Sequence, residues 1–239
     1  MPRSLIDLLW REHPSAPAPG TRGPRARVST SAVVDAALGL ADANGLTAVT
    51  VRRLAADLGV SPMSVYTHVN SRDDLLVLMV DAVHARMERT SYGRLSWRSR
   101  VRRVADSNLA LLRSHPWLLD LTDERTALGP GTIAKYDHEL ASLAPLRLAP
   151  TTCDAALTFV LDHVRGAARA LRPDPRAGEF AQHWPQWSER LATYLGDDHP
   201  LAQSVGAAAG QAMQGPSDPL LAWEFGITRV LDGLAALAP

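Results

Sequence analysis

The stretch Thr50–Arg72, TVRRLAADLGVSPMSVYTHVNSR, decides the fold. Thr50 is placed to cap a short helix whose apolar positions Leu54, Ala55 and Leu58 share one face at helical spacing. Gly59 supplies a position where positive φ meets no steric penalty, so the helix ends there and Val60 can plug the corner. Ser61 reads as a second N-cap, with Pro62 at the first helical position, where its missing N–H leaves no bond unmade. The spacing predicts a second helix over Pro62–Val69 that turns Val65 and Val69 inward. Met63, Ser64, Tyr66, Thr67 and His68 are then left on or near the outer face. Two short helices joined this way have the layout of a helix-turn-helix, in which the second helix enters the DNA major groove.

Upstream, a helix is expected from Ser29 or Thr30 to Asn44-Gly45, with Val33, Ala37, Leu40 and Ala41 inward. Downstream, Ser71-Arg72-Asp73-Asp74 resembles a capping box. It opens a longer helix, Arg72–Arg89, that connects this small head to the rest of the chain. Longer helices follow the Ser91-Tyr92-Gly93 break: Trp97–Arg113, Thr132–Leu143, Pro150–Leu171, Trp187–Leu195, Leu201–Met213 and Pro219–Ala236. A short piece at Trp117–Leu121 and a polar, proline-broken loop at Pro173–Pro185 lie between them. There is no strand alternation and no internal repeat, so the chain reads as all-α. Residues 1–12 suggest a short amphipathic turn or helix through Leu5, Leu8 and Leu9. The Pro/Ala/Gly-rich 13–27 suggests flexibility. The expected organisation is an N-terminal arm at 1–27, a helix-turn-helix domain with its connecting helix at 28–89, and a helical body at 90–239.

Apolar residues make up 46% of the 239 and aromatics only 5%, which suits a large helical core. No apolar run is long enough to cross a bilayer, and the N-terminal Ser-Leu-Ile-Asp-Leu-Leu-Trp reads as too short and too acidic for a secretory h-region. The single cysteine, Cys153, allows no intrachain disulfide and fits a reducing, cytoplasmic setting. On an Ala-rich helix it reads as a small buried group, with redox sensing as the alternative. The 25 basic residues balance the 25 acidic ones. The balance is uneven along the chain. Between Arg22 and Arg72 six arginines face three aspartates, a local +3 that suits a nucleic-acid partner.

From about Ser29 to Met87 the chain resembles the N-terminal domain of the tetracycline-repressor family (TetR/AcrR-like) of bacterial transcriptional regulators. The resemblance is carried by the unbroken string AALGLADANGLTAVTVRRLAADLGVSPMSVYTHVNSRDDLLVLMVDAV. More loosely, the body resembles that repressor's ligand-binding and dimerising domain, through Leu95-Ser96-Trp97, Ser114-His115, Leu128-Gly129 and LLAWEFGITRVLDGLAA. The resemblance implies that Thr50 and Arg52 meet phosphate or a base edge, that Pro62, Met63 and Ser64 approach the bases, and that Tyr66 and His68 meet the backbone. Arg72, at the next helix start, would hold a phosphate. His68 could instead cap the helix end, and Arg25 and Arg27 could enter the minor groove. Pro62 and Met63 replace more polar residues of some relatives, so base readout would lean on van der Waals fit and on Arg52.

Where the tetracycline repressor contacts its drug and magnesium through two histidines, this chain has Glu88 and Ala127. Magnesium–tetracycline recognition is therefore not expected, and no metal or cofactor is assigned. Candidates for an effector pocket are Trp117, Tyr136, Phe159, Asp162, His163 and Trp184, although tryptophan at helical spacing is more often core. Asp162 beside His163 on an apolar helix stands out, since a buried pair needs a reason. The resemblance implies a homodimer on a palindromic double-stranded operator, released by a small-molecule inducer. Its dimer surface is expected from 152–171 and 219–236, where Ala155, Ala156, Ala167, Ala168, Gly226, Gly233 and Ala235 permit close approach. Two readings compete: a constitutive DNA-binding protein, and an all-α enzyme using Asp162 and His163. The second lacks any nucleophile, phosphate-loop or metal-spacing motif.

Overall fold

The computed structural model describes residues 4–16, 28–121, 127–173, 177–213 and 217–237. Among them the regular structure is helical: α1 (Leu5–Leu9), α2 (Thr30–Asn44), α3 (Val51–Asp57), α4 (Pro62–Tyr66), α5 (Arg72–Arg86), α6 (Trp97–Ser114), α7 (Pro130–Leu143), α8 (Pro150–Ala170), α9 (Ala177–Leu195), α10 (Pro200–Met213) and α11 (Pro219–Ala235). Short 3-10 turns cover Leu46–Ala48, Pro116–Asp120 and Ala144–Leu146.

The head forms as its sequence dictates. Ser29 caps α2 by accepting from the Ala32 N–H at 3.1 Å, and Gly45 ends it at φ 75°. The apolar stripe Val33, Ala37, Leu38 and Ala41 is buried against α3 and α5. Burying each such Val or Leu contributes roughly 1.5–3 kcal/mol. Residues Leu75, Leu78, Met79 and Val83 of α5 complete this core.

In the body α7 lies against α5, α6 against α7 and α8, and α11 against α8 and α6. Val101, Val104, Ala105, Leu109 and Leu112 of α6 meet Leu157, Val160 and Val164 of α8, while Trp223, Ile227, Val230 and Leu234 close the stack from α11. Helices α9 and α10 border a groove lined by Trp184, Leu191, Leu195, Ala202 and Gly206.

The structure corrects several expectations. The turn or helix expected within residues 1–12 is present as α1, which packs Leu8 and Leu9 against α5, and the correction there is only that Trp10 is tied down, its Nε1 donating to the Leu128 carbonyl at 2.9 Å. Residues 17–27, with Arg25 and Arg27, lie outside the described residues. Helix α4 stops at Tyr66 rather than Val69, where the Thr67 hydroxyl donates to the Ser64 carbonyl at 2.7 Å. Helix α5 stops at Arg86 rather than Arg89, because the Arg89 guanidinium reaches back to the carbonyls of His84 (3.1 Å) and Ala85 (3.3 Å). Helix α7 begins at Pro130, earlier than Thr132, with the proline in the first turn where its lost donor is harmless. The expected loop before Trp187 is instead the first half of α9, which carries Pro185 inside it. A proline removes one donor and kinks a helix, and the good helix formers around it sustain the rest.

Candidate nucleic-acid interface and its link to the body

Thr50 Oγ1 accepts from the Arg53 N–H at 3.2 Å and starts α3. Gly59 takes φ 64°, and the Val60 N–H closes the turn on the Ala55 carbonyl at 2.9 Å. Ser61 Oγ accepts from the Ser64 N–H at 3.2 Å, starting α4 with Pro62 in its first turn. Val65 and Val69 are fully buried, which fixes the rotation of α4. The opposite face is therefore presented to solvent: Met63 is 73% exposed and Tyr66 49%. Thr50, Arg52 and Pro62 are exposed as well, and Ser64 is half-buried. Arg53 pairs with Asp57 at 3.2 Å. Of the eight residues read as DNA contacts, five are thus exposed and a sixth, Ser64, is half-buried.

The other two make contacts within the head. Arg72 Nη2 donates to the Leu46 carbonyl at 2.8 Å and Nε to the Val49 carbonyl at 3.2 Å, holding the loop that enters α3. His68 Nδ1 lies 3.1 Å from Thr30 Oγ1 and joins the end of α4 to the first turn of α2. The first turn of α5 is capped by Ser71, which accepts from the Asp74 N–H at 3.0 Å. The Asp74 carboxylate turns to Asn70 Nδ2 at 2.7 Å.

Two joints tie this head to the body. Asp81 of α5 accepts from the Thr132 N–H at 2.8 Å and so caps α7 from another helix, while His84 Nδ1 lies 3.0 Å from Thr132 Oγ1. Asp42, in the last turn of α2, receives Trp117 Nε1 at 2.8 Å and His115 Nδ1 at 2.7 Å. Within the head, Arg86 of α5 pairs with Asp35 of α2 and ties the connecting helix to α2. The first joint was not anticipated from sequence. Its signal was Asp81 and His84, two polar residues three apart on the apolar face of VLMVDAVHA.

The six residues read as effector contacts do not converge. Trp117 is core, bonded to Asp42. Tyr136 Oη donates to Asp154 at 2.8 Å and staples α7 to α8. Phe159 is 54% exposed on α8. Trp184 belongs to the groove between α9 and α10. Asp162 is exposed and does not pair with His163, because neighbouring positions on a helix face different ways. The His163 ring instead stacks on Trp223 (centroids 5.3 Å apart), in the space left by the missing Cβ of Gly226. Among the described residues no group of three or more His, Cys, Asp or Glu gathers to hold a metal ion, and no helix is long and apolar enough to cross a membrane.

An exposed reading helix on a capped turn, carried by a helix shared with a helical body, defines a helix-turn-helix transcriptional regulator with a separate C-terminal domain. The chain belongs to the TetR family of bacterial regulatory proteins. The family model for the TetR N-terminal domain matches residues 33–79, and that for the tetracyclin repressor-like C-terminal domain matches 91–238. It is similar to the HTH-type transcriptional repressor DrrR1 of Streptomyces coeruleorubidus, with 32% identity over 97% of this chain and 85% of that protein. Among solved structures it resembles apo ActR of Streptomyces coelicolor (27% identity, TM-score 0.72, 89% of this chain and 97% of that one). It also resembles ActR in complex with actinorhodin (25% identity, TM-score 0.73, 89% and 98%). These relatives are regulators rather than enzymes, and the enzyme reading is set aside.

Proposed function

We propose that this protein is a homodimeric, effector-responsive repressor that binds a palindromic operator as double-stranded DNA in the cytoplasm. The observation that carries the reading is the exposed face of α4 and the start of α3, where Thr50, Arg52, Pro62, Met63, Ser64 and Tyr66 stand on a rigid, capped scaffold. Arginine reads guanine bidentately, hydroxyls take phosphate, and Pro62 and Met63 offer apolar contact to a thymine methyl. His68 and Arg72 border this surface and, in this reading, approach the DNA backbone with the contacts they already make kept or exchanged. A two-fold dimer presents two such faces to equivalent half-sites.

Effector response is supported by ActR, whose solved complex holds actinorhodin, and by the joints through which α5 touches both head and body. An effector that binds better when α5 is tilted weakens operator binding to the extent of its differential affinity for the two states.

The test begins by enriching fragments of the source genome on the purified protein. The affinity of the enriched palindrome is then measured across a salt series. Tyr66→Ala should weaken binding about tenfold with an unchanged melting midpoint. Arg52→Ala should lower the salt slope by about one. Wild-type affinity and slope in both variants would sink the reading.

A further inference from the structure

Of the 25 Lys and Arg residues in this chain one is lysine, Lys135, and it is among the most deeply buried charges in the described protein, at 8% exposure. Its Nζ lies 2.9 Å from the carboxylate of Glu139, one turn along α7 and itself 4% exposed. The buried amide of Asn108, on α6, donates to Glu139 Oε1 at 2.6 Å and to the Val104 carbonyl at 2.9 Å. A charged pair in a helical core is weak for stability alone, since its desolvation offsets most of the attraction and an apolar pair of similar volume does as well. Its presence here calls for a second use.

The cluster supplies one. Glu139 already receives the ammonium and the amide, whereas an ammonium has three donors and, among the described residues, Lys135 has this single carboxylate as its acceptor group. Beside it is a void of about 20 Å³ where the chain after α5 meets α6 and α7, room for about one oxygen atom. Arg89, Arg103, Tyr92 and His138 border the void with Lys135. The charges there are Lys135, Arg89 and Arg103 against Glu88 and Glu139, three positive to two negative. Tyr92 stays neutral, since burial and then the charge of Glu139 push its hydroxyl up to about 12, and that hydroxyl already donates to the His138 carbonyl at 3.1 Å.

We propose that the Lys135 ammonium anchors an anionic oxygen of the effector, a carboxylate or an ionised enol or phenol, with the effector's apolar part lying toward Tyr92 and His138. The proposal rests on the reading that the body senses an effector. It also gives that effector a route to the head. Arg89, which holds the last carbonyls of α5 through His84 and Ala85, borders the same seat. An incoming anion competes for it and loosens the end of the helix that carries the reading head.

The probe is 2-naphthoate, with 2-naphthamide as its neutral counterpart, titrated calorimetrically into the full-length protein and added to its operator complex. Wild type should bind the anion about tenfold more tightly than the amide, 1.4 kcal/mol, and release operator in the same order. Lys135→Met should bind both alike while holding operator as wild type does. Equal binding of the two by wild type, binding of neither at millimolar concentration, or a preference retained by Lys135→Met would each overturn the proposal. The wild-type comparison stands even if the variant does not fold. If the neutral amide alone releases operator, the effector-responsive reading survives and the anion seat falls. If the protein binds no operator, the broader reading fails first.

Discussion

At the residue scale Arg72 is already engaged within the head. Its position at the start of α5 suits a phosphate contact, yet its guanidinium is engaged by the carbonyls of Leu46 and Val49. Those carbonyls belong to the loop that sets the angle of α3, so Arg72 shapes the reading surface before it touches anything on it. Hydrogen bonds from a charged donor contribute about 1.5–3 kcal/mol when sheltered and less when exposed as here. Arg72→Ala should therefore lower stability by about 1–2 kcal/mol as well as weakening operator binding. Arg72→Lys should restore the charge but not the two-pronged bond, leaving stability near the alanine value. Urea denaturation decides the matter: wild-type stability in Arg72→Lys would show that charge, not the fork, is what the head needs.

At the element scale the joint between α5 and α7 is a close one. Gly131 lets the start of α7 approach α5 so closely that a Cβ there would lie 2.7 Å from the Ala85 backbone nitrogen and overlap the Asp81 carbonyl oxygen. The same approach lets Asp81 and His84 reach Thr132. Gly131→Ala must push the two helices apart and should destabilise by about 1–3 kcal/mol. Gly39, exposed in α2 with nothing within 4 Å of its Cβ position, is the contrast. Gly39→Ala should stabilise by about 0.5–1 kcal/mol. Thermal melts of the two variants should move in opposite directions, and a Gly131→Ala midpoint at or above wild type would refute the account of this joint.

At the scale of the whole molecule, α8 and α11 pack on one another yet leave Phe159, Leu221 and Phe225 at 54%, 52% and 65% exposure. Together with the proposed homodimer, these side chains give the face of α8 and α11 on which its contact is proposed. Several small residues expected there already serve the chain itself: Ala156 and Ala168 are buried within it, and the space over Gly226 is filled by His163. The proposed dimer contact therefore shifts from the small residues toward these larger ones. Phe225→Arg together with Phe159→Arg should yield a monomer in sedimentation velocity and weaken operator binding, because one head engages one half-site. A dimer that persists in the double variant would place the interface elsewhere.

The sequence by itself determined what depends on neighbours in the chain. The caps Thr50, Ser61 and Ser71, the turn at Gly59, the inward Val65 and Val69 and the apolar stripes of α2 and α6 follow from spacing and backbone chemistry within a few residues. The exposed face of α4 follows from them, since burying Val65 and Val69 leaves Met63 and Tyr66 one way to point. Tertiary structure alone decided where polar side chains find partners. Asp81 meets a helix start 51 residues on, Asn108 meets Glu139 31 residues away, and Trp117 meets Asp42 75 residues back. Asp162 and His163, adjacent in sequence, part company because a helix turns them to different surroundings. Buried polar groups take whichever partner the packed helices bring within about 3 Å, and that choice is made by helix packing rather than by spacing along the chain.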